Sequence, residues 1–186
     1  IWSSGNSSIE LISDFNQIAG GQNLDQIIEN NKIYILKENY IRYGTLENRR
    51  IIQEKIFINF PKDFYPVKIE KLSSFFTILS QNGDLLILKE NDNNILNFYR
   101  IIRNFLTIQS GKFKSIKFDN QIGFFNLDGT RFSIYDITNN SFKEKITNYK
   151  ISDFHIKNLN LFALYTGFEG YKILKYNLSS IQNSND

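Results

Sequence analysis

Phe75-Phe76-Thr77-Ile78-Leu79-Ser80-Gln81-Asn82-Gly83-Asp84-Leu85-Leu86-Ile87-Leu88 is the stretch that carries the architecture of this chain. Two apolar runs flank a short polar segment. Asn-Gly between such runs is a strong hairpin signal, because a tight primed turn needs positive φ and Gly or Asn adopts it at least cost. Neither run has the length of a helix. Leu85 to Leu88 does not alternate, which predicts a strand buried on both faces. Upstream, Val67 to Leu72 reads as a strand leading into the hairpin. Downstream, Lys89-Glu90-Asn91-Asp92-Asn93-Asn94 predicts a loop and Ile95 to Ile102 a further strand. The predicted unit therefore has four strands.

The unit recurs. Ile35-Leu36-Lys37-Glu38-Asn39 is repeated identically as Ile87-Leu88-Lys89-Glu90-Asn91, and a third copy reads Ile173-Leu174-Lys175-Tyr176-Asn177. A looser copy, Phe132-Ser133-Ile134-Tyr135, follows Asp128-Gly129-Thr130. The Ile positions 35, 87, 134 and 173 are spaced by 52, 47 and 39 residues. Further leading strands are predicted over Phe113 to Phe118 and Lys150 to Ile156. Ser141-Phe142-Lys143-Glu144-Lys145-Ile146 alternates, as an exposed outer strand does. Pro61 and Pro66 bracket a connection between units, where no ladder hydrogen bond is lost. The most helix-like stretch, Leu46 to Ile56, reads equally well as a strand. Four-stranded units at this period are the signature of a β-propeller, in which each blade buries its faces against its neighbours. The expected fold is all-β: a β-propeller or part of one, with about four four-stranded antiparallel blades. The units fall at 1–12 (partial), 13–60, 65–109, 112–147 and 149–178, with a polar tail over 179–186.

Gly20-Gly21-Gln22-Asn23, followed by Ile27 and Glu29-Asn30-Asn31-Lys32-Ile33-Tyr34, resembles the repeat of the regulator-of-chromosome-condensation family. Ile1-Trp2-Ser3-Ser4-Gly5 resembles the end of a preceding repeat, and the 52-residue period suits that family. The family His stands as Asn23 here and as Phe75 in the next copy. Its Trp-Gly stands as Leu36-Lys37 and Leu88-Lys89. Asp128-Gly129-Thr130-Arg131-Phe132-Ser133-Ile134-Tyr135-Asp136-Ile137 is instead similar to a tryptophan–aspartate repeat, with Tyr-Asp for Trp-Asp. Both families imply a propeller, usually of seven blades. The first also implies, for some of its members, nucleotide exchange on a small GTPase. On either resemblance the chain reads as part of a larger polypeptide, or as one completed by a partner. The absence of Met and the Ile1 start fit such a segment or a processed product.

Composition narrows the chemistry. The 186 residues suit one domain. A net charge of +3 is too small to argue for nucleic acid or a membrane surface, and no apolar run approaches a membrane span. There is no Cys, so thiol nucleophiles, disulfides and Cys-based metal sites are excluded. That absence fits an intracellular setting, and the missing initiator Met would fit import into an organelle followed by processing as easily as a segment boundary. The 29 Ile and 24 Asn beside one Val (Val67) and two Ala (Ala19, Ala163) reflect AT-rich coding as much as function.

The lone histidine, His155, sits in a predicted inner strand, where it has no second histidine or cysteine to form a metal site. Gly20-Gly21 precedes a strand and lacks the Lys and helix of a phosphate loop. Glu90 and Asp92 read as solvated loop carboxylates. Lys112, Lys114 and Lys117 do not share a face, because strand side chains alternate. Arg49-Arg50 reads as a solvated basic spot. The sequons at Asn6, Asn139 and Asn177 are as many as chance gives in so Asn-rich a chain. No catalytic, cofactor-binding, metal-ligating or interface residue is assigned, and no cofactor. The expectation is a non-catalytic scaffold in a protein complex, with other protein subunits as partners.

Overall fold

The computed structural model describes residues 23–106, 113–118, 120–126, 131–146, 150–157, 160–168 and 170–177. The Gly20-Gly21 turn, the Asp128–Thr130 turn, the Ile1–Gly5 segment and the 179–186 tail lie outside these residues. Every regular element described is a β-strand. The first sheet runs β1 (Asp25–Glu29), β2 (Lys32–Leu36), β3 (Ile41–Glu47) and β4 (Arg50–Phe57). The second runs β5 (Pro66–Leu72), β6 (Phe75–Ser80), β7 (Leu85–Glu90) and β8 (Leu96–Ile102). The third holds β9 (Phe113–Phe118), β10 (Gln121–Asn126), β11 (Arg131–Asp136) and β12 (Ser141–Ile146). The fourth holds β13 (Ile151–Lys157), β14 (Asn160–Gly167) and β15 (Gly170–Asn177). Within each sheet the strands follow one another in space as in sequence, each antiparallel to its neighbour.

The central strands are where sequence and burial agree best. Leu85, Leu86, Ile87 and Leu88 of β7 are all inaccessible, as are Ile33, Ile35 and Leu36 of β2, with Tyr34 nearly so. Each such side chain contributes roughly 1.5–3 kcal/mol of burial before entropy is counted. A run apolar at successive positions is stable as a strand only when both of its faces are covered.

The identical pentapeptides are not structural equivalents. Ile35-Leu36 lies in β2, a second strand, whereas Ile87-Leu88 lies in β7, a third strand. The sheets begin at Asp25, Pro66, Phe113 and Ile151, at intervals of 41, 47 and 38 residues. The 52-residue period is therefore not the blade spacing. Second and third strands meet the same demand for continuous apolar surface, and a chain this rich in Ile, Lys and Asn meets it with the same words.

The turns also differ from expectation. Gln81–Asp84 is a four-residue loop in which Gly83 alone has positive φ, at 81°. The primed-turn backbone appears instead at Asn30-Asn31 (49° and 60°) and at Asn48-Arg49 (46° and 62°). The second of these splits Leu46 to Ile56 into a hairpin between β3 and β4. Longer-range bonds account for the open Gln81–Asp84 loop. The buried Asp84 carboxylate binds the Arg103 guanidinium and accepts the Asn104 N–H at 2.9 Å, and Leu106 N–H donates to the Gly83 carbonyl at 2.9 Å.

Two compact units are present. One comprises the chain up to Ser80 together with Leu86–Arg100; the other takes Gln81–Leu85 and the chain from Ile101 onward. Within the first, β1 lies beside β5: the Asp25 carboxylate accepts the Ile69 N–H at 2.9 Å and pairs with Lys68 at 3.1 Å. Within the second, Phe132, Ile134, Ile151, Leu161, Ala163 and Tyr165 form one buried cluster.

A Cβ at Gly83 would stand 1.7 Å from the Leu106 carbonyl oxygen, whereas one at Gly170 (φ 100°) would meet nothing within 4 Å. Gly170→Ala is expected to cost only the left-handed backbone term, about 1–2 kcal/mol. Gly83→Ala should cost that term plus displacement of the Leu106 backbone, on the order of 3 kcal/mol or more. Urea unfolding of the two variants checks the difference.

Candidate functional site

A polar cleft lies within the first unit, where the β7–β8 loop closes over the first sheet. Lys32, Tyr34, Tyr43, Gly44, Thr45, Gln53, Lys55, Glu90 and Asn94 line this small cleft, which is open to solvent. Glu90 ends β7, and its side chain is only 9% exposed. The Tyr34 hydroxyl donates to it at 2.7 Å, and Lys32 Nζ approaches the same oxygen at 3.5 Å. Lys32 also donates to Asn94 Oδ1. Lys55 Nζ donates to the carbonyls of Asn93 at 2.6 Å and Asn94 at 3.1 Å. Leu96 N–H donates to the Tyr43 hydroxyl at 3.2 Å.

Local sequence prepares each part. Asn91 Oδ1 accepts the N–H groups of Asn93 and Ile95 at 3.0 and 2.9 Å, which folds the loop into an Asx turn. Tyr34 and Tyr43 are cross-strand partners on β2 and β3, with rings stacked 5.8 Å apart. Tyr34 also packs on Phe76 at 4.5 Å, beneath the Lys71 ammonium. Burial, reinforced by the bond to anionic Glu90, raises the Tyr34 phenol far above its ordinary range. The arrangement is a carboxylate, a neutral phenol and two ammonium groups, all engaged in clamping one loop to the neighbouring sheet. A single carboxylate is too little to hold a metal ion, and the described residues bring no three His, Asp or Glu together.

Glu90 thus corrects the expectation of a solvated loop carboxylate; Asp92, two residues on, is exposed as expected. The overlooked signal was Tyr34. A hydroxyl inside an otherwise apolar central strand needs a buried acceptor. His155 is exposed in β13, opposite Phe162. Lys114 pairs with Asp153, holding that carboxyl below its usual range with help from the Phe154 N–H, and lies over the Phe154 ring. Arg49 and Arg50 are exposed at the β3–β4 turn. Asn139 lies in the exposed turn after β11, and Asn177 ends β15.

The Tyr135-Asp136 pair builds the β11–β12 turn. Asp136 accepts Asn139 N–H at 3.0 Å, Gln121 Nε2 at 3.0 Å and Asn139 Nδ2 at 3.1 Å, while the Tyr135 hydroxyl donates to Asn140 at 2.6 Å. Burial by itself would raise the Asp136 carboxyl, but these bonds outweigh it and hold the group below the usual carboxylate range.

No protein-family model matches the chain, and no curated protein matches it. Solved structures do. A protein from Lactobacillus plantarum superposes with TM-score 0.61 at 8% identity, over 86% of this chain and 52% of its own. BamB from Moraxella catarrhalis gives 0.53 at 11%, over 81% and 41%. BBS1N, solved in complex with ARL6DN, gives 0.52 at 9%, over 81% and 48%. The chain thus spans about half the length of these three. BamB and BBS1N are β-propellers, and this chain has the β-propeller fold. At these identities the likeness establishes the fold alone; neither repeat family is established.

Tyr34→Phe is expected to cost about 1–1.5 kcal/mol, and Glu90→Ala about 2–3, since the latter leaves a buried hydroxyl without its acceptor. A raised phenol pKa contributes stability that is complete below the unfolded value near 10 and is lost as pH rises beyond it. The wild-type advantage over Tyr34→Phe should therefore shrink above about pH 10 in denaturation series. Asp136 has the opposite sign. Its depressed pKa contributes stability above the unfolded value of 3.8, lost as pH falls through the lower folded value. Asp136→Asn should differ from wild type at neutral pH and converge with it in acid melts below about pH 4.

Proposed function

We propose that this chain is a non-catalytic protein-binding scaffold, a β-propeller subunit of a larger protein complex. Propeller neighbours are commonly scaffolds of this kind. The observation that carries the reading is apolar exposure on the outer strands. Ile56 on β4, Phe98 and Tyr99 on β8, and Phe142 on β12 are each more than 40% exposed. Among the described residues these outer strands also have one unpaired backbone edge, so their side chains stand where a partner can reach both apolar surface and hydrogen-bonding groups. The polar groups of the cleft, by contrast, are engaged in holding a loop, which supports a structural role for them.

Cross-linking and mass spectrometry of the protein in its source cells should give a stoichiometric partner. Replacing Phe98 and Tyr99 by Glu should release that partner while shifting unfolding free energy by no more than about 0.5 kcal/mol, as for exposed sites. Isolation of the protein with no stoichiometric partner would overturn the reading. Nucleotide release from small GTPases should be unchanged by the chain.

A further inference from the structure

We propose that Lys32 and Asn94 become joined by an intramolecular isopeptide bond, with Glu90 carrying the protons of the reaction. The reacting groups come from both sheets of the first unit. Lys32 opens β2, and Asn94 lies in the β7–β8 loop, 62 positions further along the chain. Lys32 Nζ donates to Asn94 Oδ1, the oxygen bonded to the carboxamide carbon that the amine attacks. Glu90 Oε1 lies 3.5 Å from the same nitrogen and accepts the Tyr34 hydroxyl at 2.7 Å. Nucleophile, electrophile and proton carrier therefore meet in one place.

The loop presents the carboxamide in a fixed position. Asn94 sits in the left-handed region at φ 54°, its N–H donates to the Asn91 carbonyl at 2.9 Å, and its own carbonyl accepts Lys55 Nζ at 3.1 Å. The Glu90 side chain is 9% exposed and that of Lys32 33%, so the carboxylate is shielded while the amine side stays open for ammonia to leave. Other lysines of the unit meet different groups. Lys68 and Lys71 meet the carboxylates of Asp25 and Glu29, with which an ammonium forms a salt, and Lys55 meets main-chain carbonyls. At Lys32 a carboxamide and a carboxylate come together. Well-oriented reactants behave as at effective molarities of roughly 10⁵–10⁸ M. A positioned proton carrier adds roughly 10²–10⁴-fold.

The step balances within the site. Glu90 takes a proton from the Lys32 ammonium, which frees the Nζ lone pair to bond to Asn94 Cγ. The Cγ–Nδ2 bond of Asn94 breaks as Glu90 passes that proton to the leaving nitrogen. A second proton from Nζ follows the same path, so one ammonium ion departs and the new amide keeps a single hydrogen. Nothing is oxidised or reduced, and no co-reactant is consumed. The bond closes a long loop, which removes entropy from the unfolded chain. It also makes permanent the hold of the first sheet on the β7–β8 loop.

The test is the intact mass of the purified full chain, followed over time after refolding. It should settle one ammonia below the sequence mass of 21.9 kDa. Trypsin should then release one branched peptide that joins the segment containing Lys32 to the segment containing Asn94. Lys32→Arg, Asn94→Ala and Glu90→Gln should each keep the full mass. Glu90→Gln retains an acceptor for the Tyr34 hydroxyl, and unchanged circular dichroism checks that it folds. Tyr34→Phe removes the hydrogen bond that positions Glu90 and should slow the bond's appearance about tenfold without lowering the final yield. A wild-type chain that keeps its full mass however long it is incubated would overturn the proposal. So would an ammonia deficit without the branched peptide, since an Asn elsewhere that closes to a succinimide gives the same mass. An undiminished deficit in Glu90→Gln would overturn the part given to Glu90. The proposal is independent of the scaffold reading, which is tested by partner release from the Phe98 and Tyr99 variant.

Discussion

A strand that is apolar on both faces cannot be satisfied by the sheet it belongs to. β2 and β7 each present a continuous apolar run, and their backbone polar groups are used in the ladder. The remaining demand is for a covering surface above and below, and another sheet meets it without leaving backbone groups unpaired. The packing of the first sheet on the second follows from that demand. The polar features of the molecule are arranged around it rather than in competition with it.

The contact of β1 and β2 with the second sheet shows how. Its apolar part is Tyr34 on Phe76, and its polar part is a set of charge-assisted bonds: Asp25 to Lys68 and the Ile69 N–H, Glu29 to Lys71, and Lys32 and Tyr34 to Glu90. Apolar stacking sets how closely the sheets approach but is tolerant of sliding. The carboxylates fix register, because each has a defined partner and an unmet charge at such a depth is costly. Asn91 then folds the β7–β8 loop and Lys55 holds it against the first sheet. In the second unit, Asp84 has the equivalent task for the segment after β8, binding both Arg103 and the Asn104 amide.

Much of this was legible in the chain itself. Doubly buried strands announce themselves by runs such as Leu85 to Leu88, and the existence and order of most strands follow from such runs and from the polar residues between them. The pentapeptide repeat was misleading because it records a shared burial demand rather than a shared position in the blade. The Gln81–Asp84 turn was misread because Asp84 and Gly83 bond to residues about twenty places away, and no local pattern carries that information. Glu90 was misread for a similar reason. Its neighbours in sequence are Lys89, Asn91 and Asp92, which look like a loop, while the groups that bury it, Tyr34 and Lys32, come from another sheet.

The sequence by itself determined that this protein is all-β, that its central strands are covered on both faces, and that its units have the size of propeller blades. Those properties depend on side-chain period and turn residues, which are local. Only the tertiary structure decided which strands are equivalent and which carboxylates are buried. The reason is physical: burial and pairing depend on what lies across the interface, and residues brought together there are separated by tens of positions in the chain.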